Sequence, residues 1–404
     1  MSAPAPTDLT RSQIVRWRNA IFVVFLLPGV AMASWASRLP TVRDVLDIRI
    51  DQVGILILGV AVGSIVGLVA SSFVVARFGA RKTIAAGLIV LGVGVAITGL
   101  GANIPLFVLT FAGLLVFGAA SGMTDVAMNV SGAANERALG RSIMPIFHAF
   151  FSFGTMIGAG LGALAENQHV PISLHLGAVA VFIVVVGLLM IPQLQSEHVI
   201  EDPDAASEDA HASGSWKERL SIWRDPRTIF IGLIVLAAAF AEGSANDWLP
   251  LAMVDGHGVE KTSAALIFGV FLTAMTIGRL GGVLLLDRFG RVIMLRASFL
   301  LAGLGLLIII FIPNSTVAVF GVILWGLGSA LGFPIGMSAA ADDPRTAAAR
   351  VSAVATIGYF AFLVGPPVIG FLGEHVGLLN ALLVVLVLAT MGFLAAGKAR
   401  EPKK

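Results

Sequence analysis

The sequence contains no cysteine, and this absence excludes a disulfide framework and a thiolate metal site. Charged residues make up only 12% of the 404 residues, which is low for a water-soluble domain. The chain also lacks a Gly-Lys-Ser/Thr phosphate loop and a helical His-Glu metal motif, so neither ATP as an energy source nor a metal centre is indicated. No basic stripe interleaved with aromatic residues is present, so no nucleic-acid partner is expected.

Most of the chain is apolar. Hydrophobic residues make up 57% of it, arranged in twelve long stretches. Each stretch has about the 17 to 25 residues that a helix needs to cross a bilayer, and none shows the alternation of barrel strands. The predicted fold is therefore an all-α membrane protein with twelve transmembrane helices. The spans are predicted at 19–37, 52–75, 83–102, 105–130, 142–165, 171–191, 228–252, 263–286, 292–312, 316–340, 350–373 and 377–397.

One polar segment, residues 193–226, divides the spans six and six. It predicts an N-terminal six-helix bundle at 1–192, a cytoplasmic linker, and a C-terminal six-helix bundle at 227–404. The acidic part of the segment is typical of a disordered linker. The alternative for its Trp216–Trp223 stretch is a short helix at the membrane surface.

The positive charges are distributed asymmetrically. If the N-terminus is cytoplasmic, 21 of the 26 Lys and Arg residues fall in cytoplasmic segments or at the cytoplasmic ends of the adjoining spans, although the net charge is only +2. The positive-inside rule therefore predicts that both termini are cytoplasmic. We expect a multi-pass protein of the bacterial inner (plasma) membrane.

The two predicted halves repeat a short loop sequence. Arg77-Phe78-Gly79 follows the second span, and Arg288-Phe289-Gly290 follows the eighth span, 211 residues later. Parallel six-helix repeats are typical of transporters that rock around a central site. A breakable contact between these loops and nearby carboxylates predicts a cytoplasmic gate; alternatively, the arginines only obey the positive-inside rule. The predicted gate residues are Arg77, Gly79, Arg81, Lys82, Arg279, Asp287, Arg288 and Gly290.

With this repeat, the whole chain resembles the major facilitator superfamily. The loop motif of that family is Gly-x-x-x-Asp-Arg/Lys-x-Gly-x-Arg/Lys-Arg/Lys. The first loop departs from it at Ser72 and Ala76, whereas the second loop keeps the acid as Asp287. The resemblance implies two pseudo-symmetric halves, alternating access, and a cytoplasmic latch formed by these loops. The missing acid at Ala76 implies that the latch is absent from the first half or moved to the second.

Ionisable residues within apolar spans are functional candidates, because an unpaired charge in hydrocarbon costs several kcal/mol. Asp125 lies in the fourth span, and Asn129 follows one helical turn later on the same face. This pair favours a site that binds and releases a proton. The alternative is a structural carboxylate that is permanently hydrogen-bonded to its neighbours.

The same pair resembles the Glu-Thr-Ala-Ala-Asn motif of the fucose-permease-like branch, and the chain is also similar to little-characterised bacterial inner-membrane relatives of that branch. The resemblance implies that Asp125 takes part in proton coupling. On the fifth span the branch has an Asn before Ser-Phe-Gly, whereas this chain has Phe151. The replacement removes one expected sugar contact.

His148 in the fifth span is predicted to relay protons or to hold a substrate hydroxyl, and alternatively to bridge two helices. Two residues have alternatives outside the substrate site. For Arg38 the alternative is that its side chain extends outward to lipid headgroups, and for Asp247 that its carboxylate is solvated at the mouth of the protein. The predicted substrate-binding residues are Asn129, Glu242, Asn246, Trp325, Tyr359 and Arg38.

Together these features predict a proton-coupled secondary transporter for a small polar solute, a sugar or an organic acid. The expected energy source is the proton gradient, with no cofactor and no metal. The expected partners are the solute, protons and membrane lipids, with the chain acting as a monomer. The alternatives are proton-driven export of amphipathic compounds and a membrane nutrient sensor that does not transport. An enzyme is not expected, because no cluster of catalytic groups occurs at one interface.

Overall fold

The computed structural model describes residues 9–140, 143–195, 222–342 and 346–401. Every regular element in these residues is a helix, which confirms the all-α prediction. Short 3-10 turns follow α7 at Ile191–Gln193 and α14 at Ala396–Ala399. The helices are α1 Arg11–Ser37, α2 Leu39–Leu46, α3 Ile50–Phe78, α4 Ala80–Asn103, α5 Phe107–Leu139, α6 Met144–Asn167, α7 Ile172–Met190, α8 Pro226–His257, α9 Lys261–Phe311, α10 Ser315–Ser329, α11 Gly332–Ala340, α12 Ala347–Val376, α13 Leu378–Ala381 and α14 Leu383–Ala395.

Among the described residues, twelve helical segments are long and apolar enough to cross a membrane, as predicted. Several of them do not coincide with a single regular helix. α9 consists of two helices that meet at a turn, because the backbone of Gly290 is non-helical; the eighth span, Lys261–Gly282, lies before this turn, and the ninth, Arg288–Phe311, ends with the second helix. The tenth span, Ser315–Ala340, is divided into α10 and α11.

Local sequence sets several helix ends. α1 begins with a capping box in which the Thr10 hydroxyl accepts a hydrogen bond from the Gln13 amide, and the Gln13 side chain bonds back to the Thr10 backbone. α8 begins at the cap Asp225, whose carboxylate accepts from a backbone amide of the first turn. α5 and α8 end at Gly140 and Gly258, which adopt the left-handed conformation with φ of 66° and 64°.

The described residues group into two compact units. Unit 1 comprises 9–48 with 55–140 and 143–195, and unit 2 comprises 49–54 with 222–342 and 346–401. In unit 1, α1 packs mainly on α6, and α4 on α5. In unit 2, α8 packs on α12, and α9 on α10. Because the first span pairs with the fifth and the third with the fourth in both units, the repeat extends from the loop sequence to the packing.

A glycine seam on α6 brings the backbones of α1 and α6 together. Gly154 and Gly158 lie one turn apart, and a Cβ atom at either would run into the backbone oxygen of Leu26 or Val30 on α1. Small residues at such spacing are typical of closely packed membrane helices. The seam therefore fixes α6, which carries His148, against α1.

The repeated loops have the same backbone conformation. Gly79 has φ 79° and ψ 156°, and Gly290 has φ 75° and ψ 166°, a region that is essentially restricted to glycine. The guanidinium of Arg77 lies 5.7 Å from the Phe78 ring centre, and that of Arg288 lies 5.4 Å from the Phe289 ring centre. We call the part of each unit that carries this loop its repeated-loop end.

Candidate functional site

In unit 1, the structure brings three predicted residues into one hydrogen-bonded cluster. The side-chain nitrogen of Asn129 lies 2.8 Å from the backbone oxygen of Asp125 and 3.4 Å from its carboxylate Oδ1. His148 Nε2 lies 3.2 Å from Asn129 Oδ1. Asn129 thus links α5 to α6 and connects the carboxylate to the imidazole.

The cluster is accessible from one side and packed on the other. Asp125 and His148 are exposed, and Asn129 is half-buried. The Phe25 ring of α1 packs edge-on against the imidazole, with the ring centres 5.2 Å apart. Because the Asn129 oxygen can only accept, His148 donates to it through Nε2. This geometry combines a proton acceptor with a hydrogen-bonding side chain that a solute can reach.

In unit 2, a polar group within the spans is an ion pair between its first and second spans. Arg279 Nη2 on α9 donates to Glu242 Oε1 on α8 at 2.7 Å, with the side chains 34% and 19% exposed. Arg279, predicted at the cytoplasmic gate, is thus placed beside a predicted substrate residue instead. Asn246 lies one turn after Glu242 and is only 7% exposed, and its side-chain oxygen has no hydrogen-bond partner.

Asp247 lies in a crevice between α8 and α12. The crevice has an empty volume of about 180 Å³ and is lined mainly by aromatic and small residues, including Phe240, Phe362 and Pro366. The side chain is half-buried, so the expectation that Asp247 is solvated at the mouth of the protein is not met. A single sequence gives no signal for this crevice, because Phe362 and Pro366 belong to a different span.

Two aromatic residues predicted to line a cavity have different surroundings. Trp325 is fully buried and packs edge-on against Phe271, with ring centres 5.6 Å apart, so it is a core residue rather than a cavity-lining one. Tyr359 is 42% exposed on α12. It follows His148 by 211 residues, the same spacing that separates the repeated loops, so both residues occupy the same position in their units.

Arg38 does not extend outward to headgroups, and this expectation is wrong. Its side chain is only 2% exposed, with Nε 2.7 Å from Glu166 Oε1 and Nη2 donating to the Val170 backbone oxygen at 2.7 Å. The Nε hydrogen is not aligned with Glu166, so that contact is an ion pair without a regular hydrogen bond. Thr41 donates to the same carboxylate oxygen at 2.6 Å. Arg38 therefore ties the end of α1 to the end of α6, a structural role rather than the predicted substrate contact.

The predicted gate residues of unit 1, Arg77, Gly79, Arg81 and Lys82, lie at its repeated-loop end, where Arg77 packs on Phe78. In unit 2 the backbone of Asp287 lies in α9, but its side chain falls outside the described part of the structure, as do Arg141 and Ser142 and residues 196–221 of the predicted linker. The latch role of Asp287 and the alternatives for the linker stay predictions.

The repeated-loop end of unit 2 contains an ion-pair network that sequence reasoning missed. Asp342, only 7% exposed, accepts from Arg227 Nη2 at 2.7 Å and from Arg291 Nη1 at 2.6 Å. Arg291 directly follows the repeated Arg-Phe-Gly, which was a usable signal. Asp342 lies beyond the end of a span and is brought to the arginines only by the fold.

A second ion pair joins α8 and α12 at the same end. Arg350 Nη2 lies 3.0 Å from Asp225 Oδ2. Burial raises the pKa of Asp225, but hydrogen bonds from Thr228 and the Arg227 amide and the charge of Arg350 together outweigh it. The pKa of Asp225 therefore lies below its usual value.

Two six-helix groups, an internal repeat and polar clusters inside the spans define the fold of a membrane transporter. The chain belongs to the Major Facilitator Superfamily, whose family model matches residues 19–359 and 231–404. This match confirms the predicted resemblance, and it identifies the chain as a multi-pass membrane protein of a transporter family.

Individual relatives agree with this assignment. The chain is 31% identical over 373 residues to an uncharacterised MFS-type transporter of Yersinia pestis, covering 90% of this chain and 89% of the relative. It superposes on a mutant of the nucleoside transporter NupG with a TM-score of 0.74 at 16% identity, covering 96% and 98% of the two chains. For a variant of the Escherichia coli fucose:proton symporter FucP the TM-score is 0.63 at 20% identity, covering 97% and 100%. These structural likenesses show the shared fold.

Proposed function

We propose that the protein is a proton-coupled secondary transporter that moves a small polar solute by alternating access. It lies in the bacterial inner membrane with both termini in the cytoplasm, as the distribution of Lys and Arg indicates. The relatives give general support, because NupG is described as a nucleoside transporter and FucP as a fucose:proton symporter.

The observation that carries this proposal is the Asp125–Asn129–His148 cluster. Asp125 is an acid within an apolar span, and its partner Asn129 is an uncharged amide. A carboxylate there is costly when charged and unpaired, so it gains from binding a proton when water leaves the site. Protonation at Asp125 thus lowers the cost of a dehydrated, solute-occluded state, which is how protons and solute become coupled.

The polarity of the accessible groups supports a polar solute. His148 and Asp125 are exposed in unit 1, and Glu242 and Arg279 are partly exposed in unit 2. Each of these side chains has hydrogen-bonding groups that a polar ligand satisfies and that hydrocarbon does not. A purely apolar compound leaves these groups unsatisfied, which disfavours it as a substrate.

The test is solute-driven proton movement in vesicles containing the purified protein. A thermal-shift screen of sugars, organic acids and amphipathic drugs first identifies a stabilising solute. Adding that solute outside the vesicles should then acidify a trapped pH dye. Asp125→Asn should abolish this acidification while solute exchange at equal pH continues, because the uncharged amide can no longer release a proton.

Asp44→Asn is the matched control, because Asp44 is an exposed acid paired with Arg43 and far along the chain from the cluster. It should behave like the wild type. Proton movement out of the vesicles on addition of the solute contradicts import by symport and indicates export. Binding without any solute counterflow contradicts transport itself and indicates a sensor.

A further inference from the structure

The Glu242–Arg279 pair is unusual for an ion pair inside a membrane span, because it is neither sealed nor fully paired. Glu242 lies near the middle of the Pro226–His257 span. The contact is a single hydrogen bond of 2.7 Å from Nη2, and the Arg279 side chain remains 34% exposed. A guanidinium has five N–H donors, so an accessible edge stays available for another acceptor.

The contrast with Arg38 shows what a structural arginine looks like in this chain. Arg38 is 2% exposed, and its guanidinium is held by both a carboxylate and a backbone oxygen. Arg279 instead has one partner on the neighbouring helix and an accessible surface. The first arrangement is a fixed tie between helices, whereas the second leaves an anchoring cation that a solute can reach.

We propose that Arg279 binds the carboxylate group of an anionic solute, and that Glu242 occupies this position only until the solute displaces it. This inference rests on the proposed transport function and narrows its substrate from polar solutes in general to organic acids. A planar carboxylate matches the guanidinium fork in a two-bond contact, which is stronger than the single bond that Glu242 makes.

Displacement has a consequence for protons. Once the solute holds Arg279, Glu242 is a carboxylate without a cationic partner in a membrane span, which is unfavourable if it stays charged. Proton uptake by Glu242 removes that cost. Binding of one carboxylate should therefore draw about one proton from solution, and the bound solute, Arg279 and protonated Glu242 together carry no net charge.

The experiment measures binding to the purified full chain in detergent. The probes are acetate, lactate and galacturonate, with lactamide and galactose as uncharged counterparts. We expect at least one carboxylate to bind the wild type, and its uncharged counterpart to bind about tenfold to a hundredfold more weakly, because the charge-assisted bonds are lost. Arg279→Gln should weaken the carboxylate by a similar factor.

Glu242→Gln gives the decisive measurement, because it removes the competitor. The carboxylate should bind severalfold more tightly to this variant, and the proton uptake seen in the wild type should disappear. A merely structural pair predicts the opposite, since both variants then lower thermal stability and weaken binding together. Arg296→Gln is the matched control, because Arg296 is an exposed arginine of the next span and packs on Phe393.

The outcomes separate this inference from the proposed function. Failure of all three carboxylates to bind, equal binding of the uncharged counterparts, or weaker binding by Glu242→Gln overturns the inference. If proton-coupled transport fails while the opposite effects of Arg279→Gln and Glu242→Gln remain, the anion site stands and the coupling proposal does not.

Discussion

The repeated-loop ends of the two units share a backbone and differ in charge. Gly79 and Gly290 have nearly identical φ and ψ angles, and each loop stacks an arginine on the following phenylalanine. Around this common frame, unit 2 has Arg291 paired with a carboxylate, whereas the matching residue of unit 1 is the fully buried Ala80.

The acids at these ends also have different partners. In unit 1, Glu136 accepts hydrogen bonds from the backbone amides of Ile143 and Met144 at 2.5 and 2.7 Å. In unit 2, Asp342 accepts from two guanidinium groups. The comparison teaches that the fold requires the backbone turn in both units, while the acids near it have different contacts: Glu136 of unit 1 binds backbone amides, and Asp342 of unit 2 binds two arginines.

The largest effect is expected from Asp342→Asn. This change leaves Arg227 without its carboxylate partner and Arg291 with the exposed Glu401 at 3.6 Å, and loss of one partner from a buried ionic contact should cost about 3 kcal/mol. Glu136→Gln, the matched change in unit 1, weakens its charge-assisted bonds to two backbone amides, which should cost about 1–2 kcal/mol. Melting temperatures in detergent measure both, and equal losses contradict the contrast drawn between the units.

A smaller and equal effect is expected from Gly79→Ala and Gly290→Ala. A methyl group at Gly290 meets no atom within 4 Å, so the cost there is backbone strain alone, about 1–3 kcal/mol. Because the two glycines share one conformation, the two variants should lower the melting temperature of the protein to a similar degree. A cost confined to one loop disproves a shared structural requirement.

The smallest effect is expected from Asp225→Asn and depends on pH. Because the pKa of Asp225 is lower in the folded protein than in the unfolded chain, its contribution to stability is present above the ordinary value of about 4 and is lost as the pH falls through the folded value. Asp225→Asn should therefore lower the melting temperature slightly at pH 7, and the difference from the wild type should shrink below about pH 4. A difference that is constant across this pH range shows that the ion pair with Arg350 contributes nothing.

Much of the fold follows from sequence, because span length and hydropathy are set by the bilayer. All twelve spans and the repeated loop are predictable on that basis. The short α2 between Leu39 and Leu46 and the division of the tenth span are not, since neither changes the apolar pattern.

The site is predictable only within one helix. Asp125 and Asn129 lie four residues apart, so helical geometry alone predicts their contact. His148 and Arg279 reach their partners across helices, and their pairing depends on helix rotation, which sequence spacing does not fix. Trp325 shows the same limit, because an aromatic residue in a membrane span suits either a cavity or a packed core.

The close approach of α1 and α6 at Gly154 and Gly158 gives unit 1 a fixed internal reference distance for measurements of motion. Backbones in direct contact have no free space in which to slide or separate, so the two helices should behave as one mechanical part. Spin or fluorescent labels placed on these helices should hold a constant separation with and without solute. Any distance that changes from a label on α1 to another point in the chain then reports motion of that other point.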